Sequence, residues 1–132
     1  MNDVDLFNYL QDKRTDTLLK YNKVERDIKV MVNDPYRIEP MYKGLKKDCE
    51  LLKVELELYN DLLKDGISLD LMDKTRQKTL YYQDKITELD YKIRHTYVRQ
   101  YSNPNYKKDA KRLEKEKETI SYKLETIKKF YK

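Results

Sequence analysis

The side chains best suited to chemistry lie between residues 91 and 112. That segment holds seven Lys or Arg against one acid, Asp109, with four tyrosines and the chain's one histidine, His95, among them. Clustered cations gain affinity for phosphate by releasing condensed counterions, and tyrosine rings between them stack on unpaired bases. Lys92, Arg94, Arg99, Tyr101, Tyr106, Lys107, Lys108, Lys111 and Arg112 are therefore the candidate contacts for a nucleic acid, another anion or an acidic partner. Cations near the end of one helix are also favoured by its dipole. The same charges at the start of the next helix run against that preference, so the dipole accounts for only part of the cluster.

Other reactive residues form no constellation. His95 has no second histidine with which to share a metal, and no Glu-x-x-His spacing exists to build a di-iron site in a bundle. The single cysteine, Cys49, excludes an internal disulfide framework and a cysteine-rich zinc site. It falls on an apolar helical row, where a thiol behaves as a small hydrophobe, and no base is placed beside it to make it a nucleophile. No glycine-rich loop is present to cradle a phosphate. The expectation is a protein with no catalytic residues, no metal, no cofactor and no small-molecule substrate.

Charge is divided unevenly along the chain. Residues 1–91 carry 16 basic and 19 acidic side chains, and residues 92–132 carry 13 basic and 5 acidic, net +8. Charged residues make up 40% of the 132, with 13 Tyr, 2 Gly, 3 Pro and one Ala, Ala110. Few turn residues imply long uninterrupted helices. Scarcity of Ala, the best helix former, in a chain rich in Lys and Tyr points to an AT-rich genome, such as that of a phage, a virus or a mobile element of a low-GC host. No run approaches the length needed to span a bilayer, and the start Met1-Asn2-Asp3-Val4-Asp5 lacks the pattern of a signal peptide. A cytoplasmic setting, or a virion, is the expectation.

The elements that would position these residues follow from the apolar spacing, which alternates between three and four. Over about 3–32 the row reads Leu10, Arg14, Thr17, Tyr21, Val24, Ile28, Met31; over 40–65, Leu45, Cys49, Leu52, Leu56, Tyr59, Leu63. Over 69–101 it reads Met72, Thr75, Thr79, Tyr82, Ile86, Leu89, Ile93, Tyr97; over 104–131, Tyr106, Ala110, Leu113, Lys117, Ile120, Leu124, Ile127, Tyr131. Such rows favour shallow, coiled-coil-like crossings. Asp34-Pro35 with Glu39-Pro40, Asp65-Gly66 with Ser68 or Asp70, and Asn103-Pro104 punctuate the boundaries. The short links force antiparallel neighbours.

The expected fold is all-α, an antiparallel coiled-coil-like four-helix bundle of two helical hairpins in one domain, residues 1–132. Polar positions Arg14, Thr17, Thr75 and Thr79 are expected to meet tyrosine hydroxyls. Surface pairs at four-residue spacing, among them Glu25–Lys29, Glu88–Lys92 and Asp90–Arg94, are expected to support the helices. Tyrosines off the rows (Tyr9, Tyr36, Tyr42, Tyr81, Tyr91, Tyr122) favour protein contact, since Tyr offers large area at low entropic cost. The functional expectation is a non-enzymatic helical interaction or assembly protein that self-associates or docks on a protein partner. The alternative is nucleic-acid binding by the basic segment.

Overall fold

The computed structural model describes residues 2–64 and 70–131, the last through its backbone alone. Four helices follow one another: α1 (Asp3–Val32), α2 (Glu39–Leu63), α3 (Leu71–Val98) and α4 (Tyr106–Lys128), which tightens into a 3₁₀ turn at Lys129–Tyr131. No strand occurs among the described residues. The chain is all-α, with α1 paired to α2 and α3 to α4 as two hairpins. It divides into two compact units, Met1–Met72 and Asp73–Lys132.

In the first unit, Asn2 caps α1. Its Oδ1 accepts from Asp5 N at 2.8 Å while Asp5 Oδ2 reaches back to Asn2 N, a reciprocal arrangement that satisfies two free helix-end donors. The link to α2 is fastened by Arg37, whose Nη1 donates to the Val32 carbonyl at 3.2 Å and whose Nε meets Glu39 Oε1 at 2.7 Å. Asp34 Oδ1 accepts from Tyr36 N at 2.9 Å, a turn that aspartate makes readily. Pro40 lies in the first turn of α2, where its missing N–H costs nothing.

The row anticipated for α1 packs inward along its whole length. Leu10 and Thr17 are buried, and Arg14, Tyr21, Val24, Ile28 and Met31 are half-buried. Burial is strongest at the end away from the link, where Leu6, Leu10, Leu58, Tyr59, Leu62, Leu63 and Leu71 are nearly inaccessible. Leu58 and Leu62 form a second buried row on α2 besides Tyr59 and Leu63. The polar position Thr17 finds its partner in a carboxylate: Thr17 Oγ1 donates to Glu55 Oε1 at 3.5 Å, and Tyr59 Oη donates to the same oxygen. The expected meeting of Thr and Tyr hydroxyls is thus mediated by Glu55. The first two residues of α3, Leu71 and Met72, belong with this unit, and Met72 N donates to Asp3 Oδ1 at 2.8 Å. The Asp65-Gly66 stop and the Ser68 cap lie outside the described residues.

In the second unit the buried positions are Thr75, Tyr82 and Leu89 on α3, with Ala110, Leu113, Leu124, Thr126 and Ile127 on α4 and Phe130 in the 3₁₀ turn. Thr79 and Thr126 turn their hydroxyls back to the carbonyls of Thr75 and Tyr122, four residues earlier, a bond that removes the need for a partner across the hairpin. No buried side-chain nitrogen or oxygen among the described residues is left without a hydrogen bond. α3 ends three residues before the expected boundary and α4 begins two residues after it, because residues 99–105 form hydrogen-bonded turns of their own. Tyr97 is 45% exposed, not core; it lies in the last turn of α3, where its hydroxyl reaches Glu114.

Candidate functional site

The basic segment forms the tip of the second hairpin. Its turn is tied by Ser102 N and Asn103 N, both donating to the Arg99 carbonyl, and by Tyr106 N donating to the Asn103 carbonyl. Asn103 is the organising side chain. Its Oδ1 accepts from Asn105 N at 3.0 Å, and its Nδ2 donates to Asp109 Oδ2 at 3.1 Å. Below the turn, Tyr97 and Tyr106 meet edge to face with centroids 6.3 Å apart, and Tyr97 Oη donates to Glu114 Oε1 at 3.2 Å. The neighbouring Glu114 carboxylate, and then burial, raise the Tyr97 phenol above its ordinary pKa.

The nine candidate residues do not share one face. Arg99 and Tyr101 lie in the turn, Lys107 and Lys108 in the first turn of α4, and Lys111 and Arg112 in its second. At about 100° per residue, Lys107 and Arg112 fall on opposite flanks of α4, with Lys108 and Lys111 on its outer side. Lys92 belongs to the Arg112 flank: it pairs with Glu88 at 2.8 Å, and that bond, more than any other cause, raises the Lys92 pKa and lowers that of Glu88. Arg94 falls on the other flank. The pair expected between Asp90 and Arg94 is replaced by one across the hairpin, Asp90 to Lys117, which leaves Arg94 unpaired. Among the described residues, Arg94, Arg99, Lys107, Lys108, Lys111 and Arg112 make no ion pair. Tyr106 is half-buried against Tyr97 with Lys107 Nζ 6.0 Å from its ring, whereas Tyr101 is 95% exposed.

The first hairpin carries a feature that the row-by-row sequence reading missed. On one flank a groove of roughly 500 Å³ is lined by Asp27, Val30 and Met31 of α1 and Met41, Gly44, Leu45 and Asp48 of α2. Val30 is 71% and Met41 57% exposed. Gly44 lies inside the helix, and a Cβ added there would meet nothing within 4 Å. On the opposite flank, Leu18 and Leu19 border a second groove of roughly 440 Å³ with Leu56 and Asn60. The available signal was the apolar residues of α1 and α2 that stand off the 3–4 rows, together with a helix-interior glycine.

Cys49 is free and half-buried and lies beside Tyr21, whose pKa is raised first by Glu25, then by burial and by Cys49. No group of three or more His, Cys, Asp or Glu among the described residues is arranged to hold a metal ion, and no described helix is long and apolar enough to cross a membrane. The chain matches no protein-family model, no curated protein and no solved structure.

Proposed function

We propose that the protein is a non-enzymatic helical interaction module, and that the groove floored by Gly44 receives an amphipathic segment of a protein partner. The observation that carries this reading is the glycine. A glycine inside a helix costs about 0.5–1 kcal/mol relative to alanine, and no neighbour within the hairpin requires it. Close approach by another backbone gives it a use. The exposed side chains of Val30 and Met41 supply apolar area beside it, and methionine adapts well to a partner's shape.

Asp27 and Asp48 border the groove and make no ion pair among the described residues. Apolar anchors flanked by Lys or Arg are therefore the partner chemistry that fits. A second copy of this chain, rich in such helices, and a foreign protein both meet that description. The Ala-poor, Lys- and Tyr-rich composition supports an assembly or host-factor-binding role in a phage or virus of a low-GC host.

The test is photo-crosslinking from a benzophenone amino acid placed at Met41, first with the purified chain and then in cell extract. A discrete adduct that disappears with Val30→Glu supports the groove as the docking site, and its mass distinguishes self-association from a foreign partner. An adduct insensitive to Val30→Glu, or no discrete adduct in either setting, overturns the proposal.

A further inference from the structure

We infer that the tip of the second hairpin binds single-stranded nucleic acid, with Tyr101 as the stacking platform and the surrounding cations on the phosphates. This goes beyond the protein contact assigned to the first hairpin and uses none of its residues. Tyr101 stands at the turn almost fully in solvent, and Tyr91, 66% exposed, lies nearly parallel to His95 with an interplanar angle of 11°. At about 100° per residue, Tyr91, His95 and Val98 share the outer side of α3, with Arg94 at its flank edge, and Val98 is 78% exposed. These rings and this apolar surface have no role in packing the hairpin.

The cations beside them outnumber the nearby acids and make no ion pair among the described residues. Asp90 is taken by Lys117, while Asp109 and Glu114 are held by hydrogen bonds from the uncharged Asn103 and Tyr97. The turn that carries Arg99 and Tyr101 is already fixed by its own hydrogen bonds, so less freedom is lost on binding.

The arrangement favours an unpaired strand over a duplex. The cations encircle the tip on several sides instead of forming one flat face for a regular double helix. A protruding tyrosine finds a free base face only where bases are unpaired. An acidic protein would satisfy the charges and use the ring as contact area, whereas an unpaired strand engages the ring by stacking and the surrounding cations by its phosphates at once.

Fluorescence anisotropy of a labelled oligothymidylate of about 12 nucleotides, titrated with the full chain at about 150 mM salt, tests this. The expected result is binding that weakens steeply with added salt, with a log–log slope near −4 if six phosphates are neutralised at about 0.7 each. Tyr101→Ala should bind roughly 5- to 150-fold more weakly with unchanged helicity by circular dichroism, as the side chain is exposed. Replacing Lys107, Lys108, Lys111 and Arg112 with Glu should abolish binding. No binding at this salt, a duplex bound as tightly as the single strand, or an unaltered affinity in Tyr101→Ala overturns the proposal. Binding to phosphatidylserine vesicles but not to the oligonucleotide overturns it in favour of a lipid headgroup.

Discussion

Glu55 stands off the apolar row of α2 by heptad count, yet it joins the polar groups inside the first hairpin. Its Oε1 accepts from Thr17 on α1 and from Tyr59 one turn further along α2. Glu55→Ala would leave two hydroxyls without this acceptor in a half-dry setting, at a cost of about 1–3 kcal/mol. Urea unfolding measures it, and a change below about 0.5 kcal/mol, the range of ordinary surface substitutions, would refute the role. In Tyr59→Phe the additional loss from Glu55→Ala should be smaller, because the two share one interaction. The sequence rows marked Thr17 as a polar position that meets a tyrosine hydroxyl but did not mark Glu55, because a carboxylate amid alternating Lys and Glu reads as solvated surface. Tyr97 shows the same difficulty. Its position on the row implies core, but the helix ends one residue later and the phenol turns to Glu114. A pKa raised in the folded state means that the contribution to stability is whole below the free phenol's value near ~10 and is lost as pH rises through the higher folded value. The melting-temperature advantage of the wild type over Tyr97→Phe should therefore shrink as the pH is raised above about 10; a constant gap would show that the hydrogen bond does not govern it.

The helices themselves were legible, because a 3–4 alternation sustained over twenty or more residues fits no other regular structure. Leu10, Tyr59, Leu63, Tyr82, Leu89, Leu113, Leu124 and Ile127 are all buried where the rows put them. The ends were less legible. They depend on side chains reaching across a turn, such as Arg37 to the Val32 carbonyl and Asn103 to Asp109, and spacing carries no trace of such contacts. Nor does spacing reveal how burial varies along a hairpin. In the first unit the fully buried leucines lie at the end away from the link, whereas Val24, Ile28, Met31 and Leu45 near it are half-buried. Local opening follows burial, so amide exchange should be slowest around residues 6–17 and 55–63 and faster around 24–32 and 39–49. Leu10→Ala should cost about 2–5 kcal/mol, and Ile28→Ala distinctly less; equal costs would contradict the gradient. At the groove, Gly44→Ala should stabilise α2 by about 0.5–1 kcal/mol, since the added methyl meets nothing. A loss of stability there would mean that the hairpin itself needs the glycine.

At the scale of the molecule, the question is whether the excess of positive charge acts as a whole or through the tip. The net charge is +5, but residues 92–132 alone carry +8. Long-range attraction draws any polyanion to a basic protein, and it is screened beyond about 8 Å at physiological ionic strength. A local site also weakens with salt, but its affinity depends on the phosphates it actually touches and so on the cations at the site, not on charge elsewhere. Two variants of equal net charge separate these contributions. Replacing Lys107, Lys108, Lys111 and Arg112 with Glu takes the chain from +5 to −3, and so does replacing Lys20, Lys115, Lys128 and Lys129 with Glu. All eight side chains are exposed, so neither set disturbs the buried rows. If the tip is the site, the first variant loses oligonucleotide binding, while the second weakens it only a few-fold at physiological salt and more at low salt, where screening is poor. Equal loss in both would mean that charge alone, wherever it lies, accounts for binding. The tyrosine at the apex would then have no part in it.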